Sequence, residues 1–170
     1  MGEVQQELLH NLKDSDWRFP AETDLSRGKI SRGENYKGLP WMMLDFPRLF
    51  SNEKTVALRT FFLWGNSYSC HLLVAGSALP DAIRALIECD RKINSSSKLS
   101  IQSDRWQHHF DESTYLSVNE LSDEQIVQLF ENQNYLKLSK WFSLANPELL
   151  PHLACDFFTE AGLLIGLLKK

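Results

Sequence analysis

The spacing of apolar positions changes several times along the chain, and each change predicts a different element. Val4, Leu8, Leu9 and Leu12 recur at helical intervals between Glu3, Gln6, Glu7 and Lys13, which predicts a short helix docked on the surface. The pattern then vanishes. Over residues 14–38 the chain is polar, Gly28, Gly33 and Gly38 punctuate it, and Arg27, Lys29, Arg32 and Lys37 oppose only Glu34 within residues 26–38. This reads as a long, irregular, flexible loop.

Residues 39–46, 55–64 and 67–75 are rich in aromatic and branched side chains, the composition of strands. Gly65-Asn66 between the last two runs is a two-residue hairpin signal, because a primed turn needs residues that tolerate positive φ. With Trp64 opposite Ser67, Phe61 would face Cys70 and Leu63 would face Tyr68; on the other side Phe62 would face Ser69 and Thr60 would face His71. Both sides are largely apolar, so the hairpin is expected in the middle of a sheet covered on both faces. Pro47 and Ser51-Asn52 are expected to close the strand before it.

Pro80 opens a second helix, in which Leu79, Ile83, Leu86 and Ile87 draw one apolar stripe, with Asn94 to Ser97 as its stop. Short alternating runs follow at 99–103 and 115–118. Ser122 and Gln125 make a capping box for a helix that buries Ile126, Leu129 and Phe130. Residues 135–144 fit strand or helix. Asn146-Pro147 signals a long terminal helix carrying Leu149, Leu150, Leu153, Phe157, Leu164 and Leu168, with Pro151 either in its first turn or marking its true start. Three successive strands without an intervening helix break the alternation of a doubly wound fold. The expectation is an α+β fold: a mainly antiparallel sheet with the Gly65-Asn66 hairpin at its centre, helices packed on it, and a single domain over 1–170.

Composition narrows the class. With 170 residues, 43% of them hydrophobic and 24% charged, the chain is neither disordered nor fibrous, and three cysteines far apart do not make a disulfide scaffold. Cys70, Cys89 and Cys155 each sit among apolar neighbours, as buried thiols of a reducing compartment do, so a cytoplasmic location is expected. Met1 to Leu12 lacks the basic start and apolar core of an export signal, and residues 161–168 fall well short of the roughly 20 that span a membrane. A net charge of −4 argues against a nucleic-acid partner. Residues 101–134 hold seven acids against Arg105, so the charge is uneven, and together with ten phenylalanines and five tryptophans this favours a homodimer. Gly162 and Gly166 would let another helix approach the last one.

Two groups of residues could carry chemistry. His108, His109, Asp111 and Glu112 hold imidazoles and carboxylates close together, as a small hydrolase or a metal-dependent enzyme would need, but their spacing is no metal motif. On an extended segment adjacent histidines point to opposite faces. The second group is polar within apolar surroundings: Asp45, Arg59 and His71, with Trp41 and Arg32 nearby. A buried charge needs a partner, so Asp45 is expected to pair with Arg59 or Arg48. If these side chains instead line a pocket open to the loop at 26–38, they suit a small anion. No nucleophile elbow, CxxC pair or nucleotide loop is present, and no cofactor or metal is expected. The leading reading is non-catalytic binding of a small ligand or a protein partner at Arg32, Trp41, Asp45, Arg59 and His71; the alternative is the enzyme.

Overall fold

The computed structural model describes residues 1–13, 15–89 and 96–168. Helix α1 (Gly2–Lys13) is followed by strands β1 (Lys29–Tyr36), β2 (Leu39–Phe50), β3 (Lys54–Leu63) and β4 (Ser67–Gly76), then α2 (Leu79–Glu88) and β5 (Lys98–Ser100). β6 (Tyr115–Ser117), α3 (Asp123–Asn132), β7 (Tyr135–Phe142) and α4 (Leu150–Leu164) complete the order. The strands form one antiparallel sheet in the order β1-β2-β3-β4-β7-β5-β6. The fold is α+β. No helix among the described residues is long and apolar enough to cross a membrane.

The central hairpin is where expected but its register differs by one residue. Trp64, Gly65 and Asn66 make a three-residue connection, Gly65 takes φ +67, and the Asn66 N–H donates to the Leu63 carbonyl. Leu63 therefore pairs with Ser67 and Arg59 with His71. A two-residue turn would have put Thr60 opposite His71 and Arg59 on the other face. Since side chains alternate, one added turn residue moves Arg59 onto the His71 side.

The expected loop at 26–38 is largely strand. β1 pairs with β2 through Lys29↔Asp45 and Gly33↔Trp41, and the Trp41 indole lies so close that a Cβ on Gly33 would come within 2.5 Å of its Nε1. As an edge strand, half solvated and with a glycine where a side chain cannot fit, β1 has no apolar alternation for the sequence to reveal. β2 continues past Pro47 to Phe50; the register shifts between Asp45 and Arg48, so the imide without an N–H sits at an irregularity of the ladder.

Residues 135–142 resolve as strand β7, which pairs with β4 along its length. Helix α2 ends at Glu88; part of its expected stop, residues 94–95, lies outside the described residues. The Ser122–Gln125 capping box is present. α4 starts at Leu150 with Pro151 in its first turn, after a 3-10 turn at Pro147–Leu149, and it ends at Leu164, short of the expected Leu168 and before Gly166 at φ +73. Gly162 packs under Trp17 of the same chain, with no room even for a Cβ. Cys70 and Cys155 are buried free thiols, while Cys89 is half-buried at the end of α2.

α1 packs on α4 and β2, α4 on β4 and β7, and α2 on β4 and β7. These helices cover the sheet face that carries Leu58, Leu72, Leu138 and Leu99, a register row across β3, β4, β7 and β5 with each leucine about 0–1% exposed. The opposite face is also buried, but by different means: residues 101–111, which form neither helix nor strand, cross it.

Candidate functional site

The antiparallel register draws a polar row across the second face. Asp45 on β2 pairs with Arg59 on β3, Arg59 with His71 on β4, and His71 with Ser139 on β7. Ser69 and Lys137 lie two residues along their strands and so share this face. Asp45, Arg59 and His71 are 3%, 7% and 0% exposed, and Lys137 is 0% exposed.

Arg59 spends three of its five N–H groups inside the protein. Its Nε and Nη2 donate to the two carboxylate oxygens of Asp45 at 2.6 and 2.9 Å, a bidentate pair, and its Nη1 donates to Nε2 of His108 at 2.9 Å. Arg48, the other partner considered for Asp45, instead binds Asp24 at 3.1 Å. Because a guanidinium only donates, Nε2 of His108 is the acceptor and its proton sits on Nδ1. That Nδ1–H is buried and has no hydrogen-bond partner among the described residues. His71 is held between two hydroxyls, Ser69 Oγ at 2.9 Å from Nε2 and Ser139 Oγ at 2.8 Å from Nδ1.

Among the described residues Lys137 has no carboxylate in contact. Its ammonium donates to the backbone carbonyls of Arg105, at 3.2 Å, and Gln107, both in the covering segment. Burial, reinforced by the nearby Arg59 charge and opposed by Asp104, brings the Lys137 pKa down to about 7. Burial likewise holds His71 and His108 well below the ordinary histidine value, with Lys137 as the next cause for each. Both imidazoles are therefore neutral at neutral pH.

These groups enclose a cavity of about 10 Å³, lined by Ala57, Arg59, His71, Leu73, Arg105, His108 and Lys137. That is room for about one water. Trp106 lies over two of its lining cations, its ring 5.2 Å from the guanidinium carbons of both Arg59 and Arg105. Tyr36 holds the other end of the covering segment: its hydroxyl accepts the backbone N–H groups of His108 at 2.7 Å and of His109 at 3.2 Å.

The sequence-predicted sets are redistributed. Asp45, Arg59 and His71 do come together, under residues 101–111, and the 26–38 stretch borders them as a strand, with Lys29 paired to Asp45 and Tyr36 holding the covering segment. Trp41 is on the same face farther along β2, stacked on Phe61, which in turn touches the His108 ring. Arg32 is exposed on β1, opposite Met42, whose side chain belongs to the other face, and it does not join the site. His108, His109, Asp111 and Glu112 do not converge. His108 enters the Arg59 network; His109 is half-buried beside Tyr36, 3.2 Å from its hydroxyl. Asp111 is exposed and caps the turn Glu112–Thr114 by accepting from the Ser113 N–H at 3.0 Å, and Glu112 is exposed on that turn. Among the described residues no group of His, Cys, Asp and Glu side chains could hold a metal ion. Lys137, Ser139, Tyr36, Arg105 and Trp106 were missed; assigning 135–144 as strand would have exposed Lys137 as a charge alternating with Leu136 and Leu138.

Larger hollows lie elsewhere, including one of about 250 Å³ between α1, the start of α4 and the β3–β4 turn. It is lined by Val4, Phe62, Trp64, Leu150 and other mainly apolar side chains, with Glu3 and Tyr68 as its polar members. No family model, no curated protein and no solved structure matches the chain.

Proposed function

We propose that the protein binds a small anion on the polar face of its sheet, beneath residues 101–111. One observation carries this reading: the cavity is surrounded by hydrogen-bond donors. Arg59, Arg105 and Lys137 are cationic, the free N–H of His108 is a donor, and Asp45 is the carboxylate bound to Arg59. A buried cation answered only by backbone carbonyls is costly, and an anion drawn to Lys137 would offset that cost.

The closed cavity fits one water, so a carboxylate or phosphate enters by lifting the covering segment. That segment is suited to moving, because its backbone bonds to the sheet run through the Tyr36 and Tyr135 hydroxyls and the Lys137 ammonium rather than through a strand ladder. The face offers Lys137 and Arg59 as charge partners and two neutral imidazoles as polar walls. Three free cysteines fit a reducing compartment.

Titration calorimetry with inorganic phosphate and with acetate tests this at low ionic strength. Binding is expected near pH 6.5, weakening with added salt and weakening again at pH 9, where Lys137 has lost its proton. Lys137→Met abolishes it. Absence of binding to both anions in the wild-type protein, or unchanged binding in Lys137→Met, overturns the proposal.

A further inference from the structure

Lys137 has features that a charge partner alone does not need. A lysine that only attracts an anion works best fully protonated and beside solvent. This one is fully buried and lines the same cavity as two other cations, Arg59 and Arg105, over both of which a tryptophan lies. Those conditions leave a substantial share of neutral amine at neutral pH, and a neutral buried amine is a nucleophile. The charged and titratable groups facing it are Arg59 from β3, His71 from β4, and Asp104, Arg105 and His108 from the covering segment. Only Asp104 favours the ammonium form.

We infer that Lys137 forms an imine with a small oxo acid, a molecule whose carboxylate is held by Arg59 and Arg105 while its aldehyde or ketone carbon meets the Lys137 amine. This rests on the anion-binding reading and names the substrate class for that site. The Nζ lone pair forms the new C–N bond as the carbonyl π pair moves to oxygen. The carbinolamine then loses water, which carries away the carbonyl oxygen and both amine hydrogens, leaving C=N. Electrons and atoms balance with no oxidant or reductant. The guanidinium groups bring the carboxylate beside the amine. Forming the imine also removes two of the donors that tie Lys137 to the Arg105 and Gln107 carbonyls, so the adduct and the open segment favour one another.

The probe is glyoxylate with cyanoborohydride, which reduces an imine to a stable carboxymethyl group, read by intact mass and peptide mapping. The expected result is a single rapid modification at Lys137, at least about tenfold faster than at any surface lysine, with a rate rising through about pH 7. Acetate should slow it by competition. Lys137→Arg should lose the modification while Lys140→Arg retains it. Modification spread evenly over the surface lysines, or none at Lys137, overturns the inference. If acetate and phosphate still bind in that case, the anion-binding reading stands; if they do not, both fall.

Discussion

Two neighbouring rows of the same sheet are buried equally and built oppositely. One row, Leu58–Leu72–Leu138–Leu99, lies under helices; the next, Asp45–Arg59–His71–Ser139, lies under an irregular segment. The difference follows from what each cover can offer. The interior of a helix has spent its carbonyls and N–H groups on itself, so it presents side chains alone and suits an apolar face. Residues 101–111 spend only some of their backbone groups on local turns, and those of Arg105, Gln107, His108 and His109 are bonded to Lys137 and Tyr36. A polar face can be buried only beneath a cover with unspent hydrogen-bonding groups.

The sharpest way to break the contrast is Asp45→Ala. It strands the Arg59 guanidinium in a site already carrying Lys137, and should cost about 3–5 kcal/mol in denaturant unfolding. Leu72→Ala on the other face falls in a similar range, about 2–5 kcal/mol, for the unrelated reason that it opens a cavity. The two should part with pH: the Leu72→Ala cost stays constant, whereas that of Asp45→Ala shrinks as Lys137 loses its proton.

The wild-type protein should itself report the polar face by titration. The folded Lys137 has a pKa near 7 while the unfolded lysine keeps an ordinary one, so above pH 7 the unfolded chain binds more protons and stability rises with pH. From about pH 7 to 8.5 the gain approaches about 1.4 kcal/mol per unit, and Lys137→Met removes that slope. Higher still, the buried thiols Cys70 and Cys155, whose pKa values are raised by burial, act in the opposite direction. Below about pH 6.5 His71 and His108 must remain neutral while unfolded histidines charge, which lowers stability further.

Tyr36→Phe gives the smallest effect and the most local one. It deletes the acceptor for the His108 and His109 N–H groups at a cost of about 1 kcal/mol. Amide exchange over residues 105–110 should speed up several-fold, while exchange in α4 stays unchanged.

The fold class, the central hairpin and the helix stripes were legible because each leaves a local period or turn signal. The register was not, since Trp64-Gly65-Asn66 and a two-residue Gly65-Asn66 turn look alike until the strands pair. Asp45, Arg59 and His71 were legible as polar residues among apolar ones, but their common row depends on that register. Lys137 stayed hidden behind the ambiguity of 135–144. The covering segment could not be seen at all, because nothing in its sequence states which face it crosses; Trp106 over Arg59 is a meeting of residues 47 positions apart.

The ends of the sheet carry a last consequence. β1 and β6 each have a single neighbour, and an open strand invites pairing with another chain. β6 spans only Tyr115–Ser117, and β1 displays Lys29, Arg32 and Glu34 to solvent around Gly33. A short edge and a charged, glycine-interrupted edge are poor templates for further strands. The apolar runs of β3 and β4 lie in the interior of the sheet, away from either open edge, where such aggregation-prone segments are already paired on both sides.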